Sequence, residues 1–263
     1  MRQNESNMIL IDTHSHLFLE QFDEDRAEVV QNAIDNGVQK IFLPDIDSSH
    51  TASVLQMAKD FPGICFPMIG LHPTSVKENY KEELAHVEKM LATEKYYGIG
   101  ETGIDLYWDK TFLKEQIEVF RFQINLAKQS GLPLIIHSRE SFDEIFSVID
   151  EMNDEKLKGI FHSFTGNKAQ AEKILSYKGF KIGIGGIVTF KNSKLPEVVK
   201  EIGLENLVLE TDAPYLAPTP KRGKRNESAY LKYTAEKIAE IYNVSLDTVA
   251  KKTSENALKL FNI

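Results

Sequence analysis

The feature that most constrains this chain is a repeated pattern. A short apolar run ends in a polar residue, and an amphipathic stretch follows before the next run. The runs are Ile9–Thr13, Lys40–Asp45, Cys65–Leu71, Tyr97–Glu101, Pro133–His137, Gly159–Ser163, Phe180–Gly185 and Leu207–Thr211. Helical periodicity predicts helices near 23–36, 49–60, 81–94, 113–130, 141–152, 167–178 and 194–202, with two more at 228–242 and 246–261. Gly37 and Gly131 stand where helices end, and Ser141 and Ser245 where they begin. Between positions 14 and 212 the pattern repeats every ~28 residues, close to the length of one βα unit. The runs are near-continuous rather than alternating, as suits parallel strands covered on both faces. Eight such units predict an α/β fold, a closed (β/α)8 TIM barrel, with a doubly wound open sheet as the fallback.

The chain has 263 residues and no linker or shift in composition, so one domain over 1–263 is expected, with the polar residues 1–7 as a frayed tail. No run approaches the length of a transmembrane helix, and no secretory signal precedes the first strand. The single cysteine, Cys65, lies in an apolar run and reads as an inert core residue. A reducing, cytoplasmic setting is expected. Net charge is -8, so a polyanionic partner needs a local basic patch.

The chemistry collects at the ends of the runs. His14 and His16 are two residues apart, which aims both rings to one side of an extended chain. Asp45, His72, Glu101, His137, His162 and Asp212 close later runs, and only the seventh, ending in Gly185-Gly186, lacks such a side chain. In a parallel barrel all of these ends share the C-terminal face. Five of the seven histidines fall there, while His50 and His86 read as ordinary surface residues. The set is large enough for two divalent ions with a bridging carboxylate. Mixed imidazole and carboxylate donors suit Zn, Mn, Co or Ni, and Mg less comfortably. No Walker sequence, Rossmann fingerprint or G-x-S-x-G is present, and Gly183-Ile184-Gly185-Gly186 reads as close packing or room for substrate.

The loop after the eighth run carries Lys221, Arg222, Lys224 and Arg225, a dense basic cluster in an acidic chain. It suits a grip on a phosphodiester backbone. Arg139 suits either a substrate phosphate or an ion pair behind a ligand. Tyr107 and Trp108 suit either stacking on a base or packing of their loop.

Asp12-Thr13-His14-Ser15-His16, Gly70-Leu71-His72-Pro73, Gly98-Ile99-Gly100-Glu101-Thr102-Gly103-Ile104-Asp105, Ile136-His137-Ser138-Arg139, Phe161-His162-Ser163-Phe164-Thr165-Gly166 and Glu210-Thr211-Asp212-Ala213-Pro214-Tyr215-Leu216 resemble the motifs of the TatD family of metal-dependent DNases. The resemblance runs from residue 8 to the C-terminus. It implies a (β/α)8 metallohydrolase of the amidohydrolase superfamily, with metal ligands at His14, His16, Glu101, His137, His162 and Asp212. Glu101 would bridge the ions, and His72 and Arg225 would lie in the pocket. Two positions depart from the family pattern: Ser228 stands where Pro is usual, and Thr74 where a second His is common.

The expected function is therefore a divalent-metal-dependent phosphodiesterase acting on DNA. The resemblance further implies a 3′→5′ exonuclease of single strands, with Asp212 orienting the attacking water and taking its proton. A rival on the same site is hydrolysis of an amide or ester, including an aminoacyl-tRNA ester. A second rival is a metal-stabilised binding module without catalysis. Nucleic acid is the expected partner and no membrane is expected.

Overall fold

A computed structural model describes residues 8–263, so the expected tail at 1–7 lies outside the described residues. Each apolar run overlaps a strand, although β2 starts before its run and β4 and β5 continue past theirs: β1 (Leu10–Asp12), β2 (Val38–Leu43), β3 (Cys65–Pro67), β4 (Ile99–Asp105), β5 (Leu134–Arg139), β6 (Gly159–Phe161), β7 (Phe180–Ile184) and β8 (Leu207–Leu209). The helices are α1 (Arg26–Asp35), α2 (Thr51–Asp60), α3 (Tyr80–Thr93), α4 (Leu113–Ser130), α5 (Phe142–Met152), α6 (Lys168–Ser176), α7 (Leu195–Ile202), α8 (Leu231–Tyr242) and α9 (Leu246–Phe261).

Strands β1 to β3 and β4 to β8 form two parallel sheets in sequence order. Two junctions join them. At one, Ile69 bridges Ile99, with the Gly100 N–H donating to Ile69 O at 2.8 Å. At the other, the Thr13 N–H donates to Leu209 O at 3.0 Å and the His16 N–H to Ala213 O at 2.7 Å. Eight parallel strands thus run in a ring, as the repeat predicts. Close backbone approach makes the first junction possible: a Cβ on Gly70 would lie 2.7 Å from Gly100 Cα.

Ile11, Phe42, Phe66, Ile135, Ile160 and Val208 come from six different strands and pack as one cluster, which requires the inside of the ring. The same cluster takes in Ala257, Leu260 and Phe261 of α9, and the Phe261 ring stacks on Phe42 at 3.7 Å. Asn256 of α9 donates to Leu204 O and Leu207 O, at the start of β8, so this helix closes the N-terminal end of the barrel. The opposite end is left for the polar residues. Side chains alternate along a strand, so His137 follows the inward Ile135, and His162 follows Ile160. Asp212 likewise continues the inward side of Val208.

Local signals hold with two corrections. Gly37 and Gly131 take φ values of +89° and +70° at their helix ends, and the Ser245 hydroxyl accepts the Thr248 N–H at 3.1 Å. Ser141 precedes α5 but does not cap it. Its hydroxyl donates to Ile104 O at 2.5 Å instead, tying β4 to the β5 loop. His86, expected to be solvated, is half-buried, with Nε2 2.9 Å from the Thr51 hydroxyl, which donates to Asp45 at 2.6 Å. Cys65 is buried, and burial pushes its thiol up to about 12. Among the described residues no helix is long and apolar enough to cross a membrane.

Candidate metal centre

Glu101 sits at the centre of the polar end. It lies within β4 rather than at its end, where the β4–β5 register shifts between Ile99 and Thr102. The residue is 2% exposed, and its two oxygens face different partners. Oε2 is 3.0 Å from His14 Nε2 and 3.6 Å from His16 Nε2. Oε1 is 2.8 Å from His137 Nδ1, 3.3 Å from His72 Nε2 and 3.5 Å from His162 Nε2.

Asp212 completes the first group. It takes φ +56° just past β8, and its Oδ1 lies 3.8 Å from His14 Nε2 and 3.5 Å from His16 Nε2. The two histidine nitrogens are 3.2 Å apart. Four donors at ~2.0–2.2 Å from one tetrahedral ion would be spaced by about 3.3–3.6 Å. The observed spacings bracket that range, so the group fits a divalent ion. The buried Nδ1 atoms of His14 and His16 have no hydrogen-bond partner among the described residues, so the polar contacts of both rings run through Nε2 to the shared centre.

The second group gathers at Glu101 Oε1, with His137 at 2.8 Å, His72 at 3.3 Å and His162 at 3.5 Å. A carboxylate stands behind two of these rings. Asp105 Oδ2 is 2.9 Å from His137 Nε2, and Glu210 Oε1 is 2.9 Å from His162 Nδ1, the latter a charge contact without hydrogen-bond alignment. Such partners fix a ring's orientation and make it a better donor. His72 differs. The Thr74 N–H donates to its Nδ1 at 3.1 Å, which leaves the proton on Nε2, facing Glu101. In that tautomer His72 is a hydrogen-bond donor and not a ligand. The main-chain N–H at position 74 therefore sets its tautomer.

The electrostatics follow from these contacts. Burial works to raise the Glu101 carboxyl, but the charge on His162 and the contacts with His14, His72 and His137 hold it well below the usual range. Asp212 is lowered in the same way, against burial, mainly by His162 and His16. Burial lowers His14, and His162 beside it adds to the effect; the two rings stack at 3.5 Å. In His16, burial is outweighed by Asp212 and Glu101, which push it up to about 9. In His162, it is outweighed by Glu210, Glu101 and Asp212, which push it up to about 10. An ion replacing those protons would neutralise the same carboxylates.

Three supports carry no clear mark in the sequence. Asp105 and Glu210 back the histidines. Asp12 joins the strand ends: its carboxylate accepts the Thr211 N–H at 2.9 Å, the Thr211 hydroxyl at 2.6 Å and the Ser228 hydroxyl at 2.6 Å. Ser228, the other departure from the family pattern, thus ties the segment before α8 to the end of β1. Burial pushes Asp12 up to about 7. The one available signal is the placing of each acid two or four positions from a ligand-type residue. The glycine stretch is close packing: a Cβ on Gly183 would lie 2.4 Å from Glu210 Oε2.

Other expected residues lie further out. Asp45, which closes the second run, stays apart from the cluster. Its carboxylate is taken by Thr51 and the Ile46 N–H. Arg225 was expected in the pocket, but its guanidinium is bidentate to Asp25 and also donates to Gln21 O at 2.6 Å, so its charge is already engaged. Arg139 makes no ion pair among the described residues; it lies 3.8 Å from the Tyr107 ring centre. Arg222 lies 3.7 Å from the Phe190 ring and Lys221 4.9 Å from the Tyr230 ring, while Lys224 is exposed.

The comparisons agree with this architecture. The family described as TatD related DNase matches residues 11–262. The uncharacterized metal-dependent hydrolase YabD of Bacillus subtilis is 42% identical over 256 residues, covering 97% of this chain and all of that protein. The crystal structure of YjjV, a TatD homolog from Escherichia coli, superposes with a TM-score of 0.91 at 30% identity, covering 98% of this chain and 99% of that one. A TatD family hydrolase from Entamoeba histolytica shares the fold, with a TM-score of 0.81 at 24% identity, covering 96% of this chain and 98% of that one. Relatives named as metal-dependent hydrolases, a matching barrel and two converging donor groups lead to one assignment: the chain belongs to the TatD-related DNase family of metal-dependent hydrolases.

Proposed function

We propose that this protein is a two-metal phosphodiesterase that hydrolyses DNA, as a 3′→5′ exonuclease of single strands. The observation that carries the two-metal reading is the split of Glu101. One oxygen faces His14 and His16, with Asp212 completing that group; the other faces His137 and His162. Bound divalent ions would supply Lewis acidity and a water activated for attack on phosphorus.

The chain's own groups do the rest. Glu101 and Asp212 hold negative charge where cations are needed, because their histidine neighbours keep both carboxyls ionised. Asp212, at the edge of the cluster with its side chain 16% exposed, orients the attacking water and takes its proton. His72 offers its Nε2–H to a phosphate oxygen, with Thr74 preventing the alternative tautomer. Lys221, Arg222 and Lys224 hold the backbone of the strand away from the cluster. Polarity and preference for DNA rest on membership of the family.

Single strands labelled at the 3′ or the 5′ end, digested with a panel of divalent ions, test this reading. A 3′→5′ exonuclease releases a 3′ label at once as mononucleotide and shortens a 5′-labelled strand stepwise. Release from the 5′ end refutes the polarity. Intact strands with every ion refute the nuclease.

A further inference from the structure

The chain holds 25 aromatic residues counting Phe, Tyr and Trp, and among the described residues three of them are exposed: Trp108 at 69%, Tyr107 at 50% and Tyr215 at 49%. All three belong to the loops that follow β4 and β8, on the face that carries the metal centre. Exposed aromatic surface concentrated at one mouth calls for an occupant.

Both loops are held firmly, each to a different half of the donor cluster. Asp105 accepts the N–H groups of Tyr107 and Trp108 at 3.0 and 3.2 Å through Oδ1, while its Oδ2 meets His137. On the other side, the Tyr215 N–H donates to Asp212 O at 2.8 Å, and Asn226 donates to Tyr215 O at 2.7 Å. The Tyr215 ring centre is 6.3 Å from that of His16. The aromatic rings are therefore positioned by the residues that build the site. Arg139 adds positive charge beside Tyr107 and Trp108, without a carboxylate to neutralise it among the described residues.

We propose that this rim is a nucleobase clamp, in which Tyr215 stacks on the base at one side of the scissile phosphate and Trp108, beside Tyr107 and Arg139, stacks on the base at the other. The inference rests on the nucleic-acid reading of the site. A base offers flat apolar faces, and the adjoining phosphates suit the arginine. Every base has such faces, so the clamp tolerates sequence. A duplex keeps those faces stacked on neighbouring pairs, so the clamp selects unpaired strands. It is thereby the physical source of a single-strand preference.

The test pairs protein variants with substrates lacking a base. Single-stranded oligonucleotides carry an abasic tetrahydrofuran nucleotide on one side or the other of the cleaved linkage. KM and kcat are measured for the metal-loaded wild type, Tyr215→Ala, Tyr215→Phe and Trp108→Ala. Removing one stacked base should raise KM by roughly 5- to 100-fold. Tyr215→Ala should bring a similar rise on the intact strand and no further rise on the strand abasic at its side. Trp108→Ala should show the same coupling with the other side, and Tyr215→Phe should retain wild-type KM because the ring face remains. Equal cleavage of abasic and intact strands by the wild type, or effects that simply multiply, would overturn the clamp and leave the nuclease reading intact. An intact oligonucleotide left uncut by the wild type would instead remove the nuclease reading, and the clamp with it.

Discussion

Replacing Glu101 by Gln is the most informative single change. The amide matches the carboxylate in shape, and the site is at the open end of the barrel, so the fold should persist. The electrostatic effect is large. The native side chain is 3% exposed, with its oxygens 3.0 and 3.6 Å from His14 and His16, and 2.8, 3.3 and 3.5 Å from His137, His72 and His162. An amide keeps one acceptor and turns the other into a donor. Whichever way it sits, both groups of histidines lose their anionic partner, and one of them meets an N–H in place of an acceptor. Metal content after dialysis against a fixed free ion should fall from two per chain toward one. Removing one transition-state charge interaction of this kind costs on the order of 10²–10³ in kcat, or about 2.7–4 kcal/mol. Steady-state hydrolysis of a short single strand, with metal content measured on the same sample, gives both numbers. Near-normal kcat with two ions bound would refute the bridging role.

Three further outcomes follow from particular side chains. In the metal-free protein, His16 and His162 are held at about 9 and about 10, above their ordinary 6.5, so the stability they add is full below pH 6.5 and disappears as pH rises through 9 to 10. The melting temperature of metal-free protein should fall across that window while that of loaded protein stays nearly level; a level metal-free curve argues against these protonations. Neutralising Lys221, Arg222 and Lys224 together should flatten the salt dependence of oligonucleotide binding by about 0.7 in log–log slope for each phosphate no longer gripped; an unchanged slope identifies the cluster as solvated charge. Phe261→Ala removes the ring stacked on Phe42 at the closed end of the barrel and should cost about 3 kcal/mol in denaturant unfolding; a cost under ~1 kcal/mol, below the range for a buried ring, would mean α9 does not plug the barrel.

Much of the fold was legible because a buried parallel strand needs a continuous apolar run, and eight such runs recur at βα spacing. The donors were legible because polar residues end those runs where the barrel opens. The supports were harder to read. Arg225 and Asp25 are paired across 200 positions, and no local pattern marks that partnership. Asp105 and Glu210 look like ordinary strand-end acids until the fold turns them toward His137 and His162. His86 lies among charged residues in sequence, yet its contact with Thr51 joins α3 to α2 through space. Strand bounds also shifted. Glu101 is inside β4, which continues past a register irregularity to Asp105, and nothing in the composition marks that irregularity.

On the proposed two-metal reading, hydrolysis depends on ions held by the two donor groups around Glu101. That dependence is tested most directly by stripping the protein of metal, confirming the absence of metal by mass spectrometry, and titrating a divalent ion back while following cleavage of a labelled single strand. No cleavage is expected without metal, and activity should develop with the second ion bound per chain and then saturate. Full activity in protein shown to be metal-free would contradict that dependence.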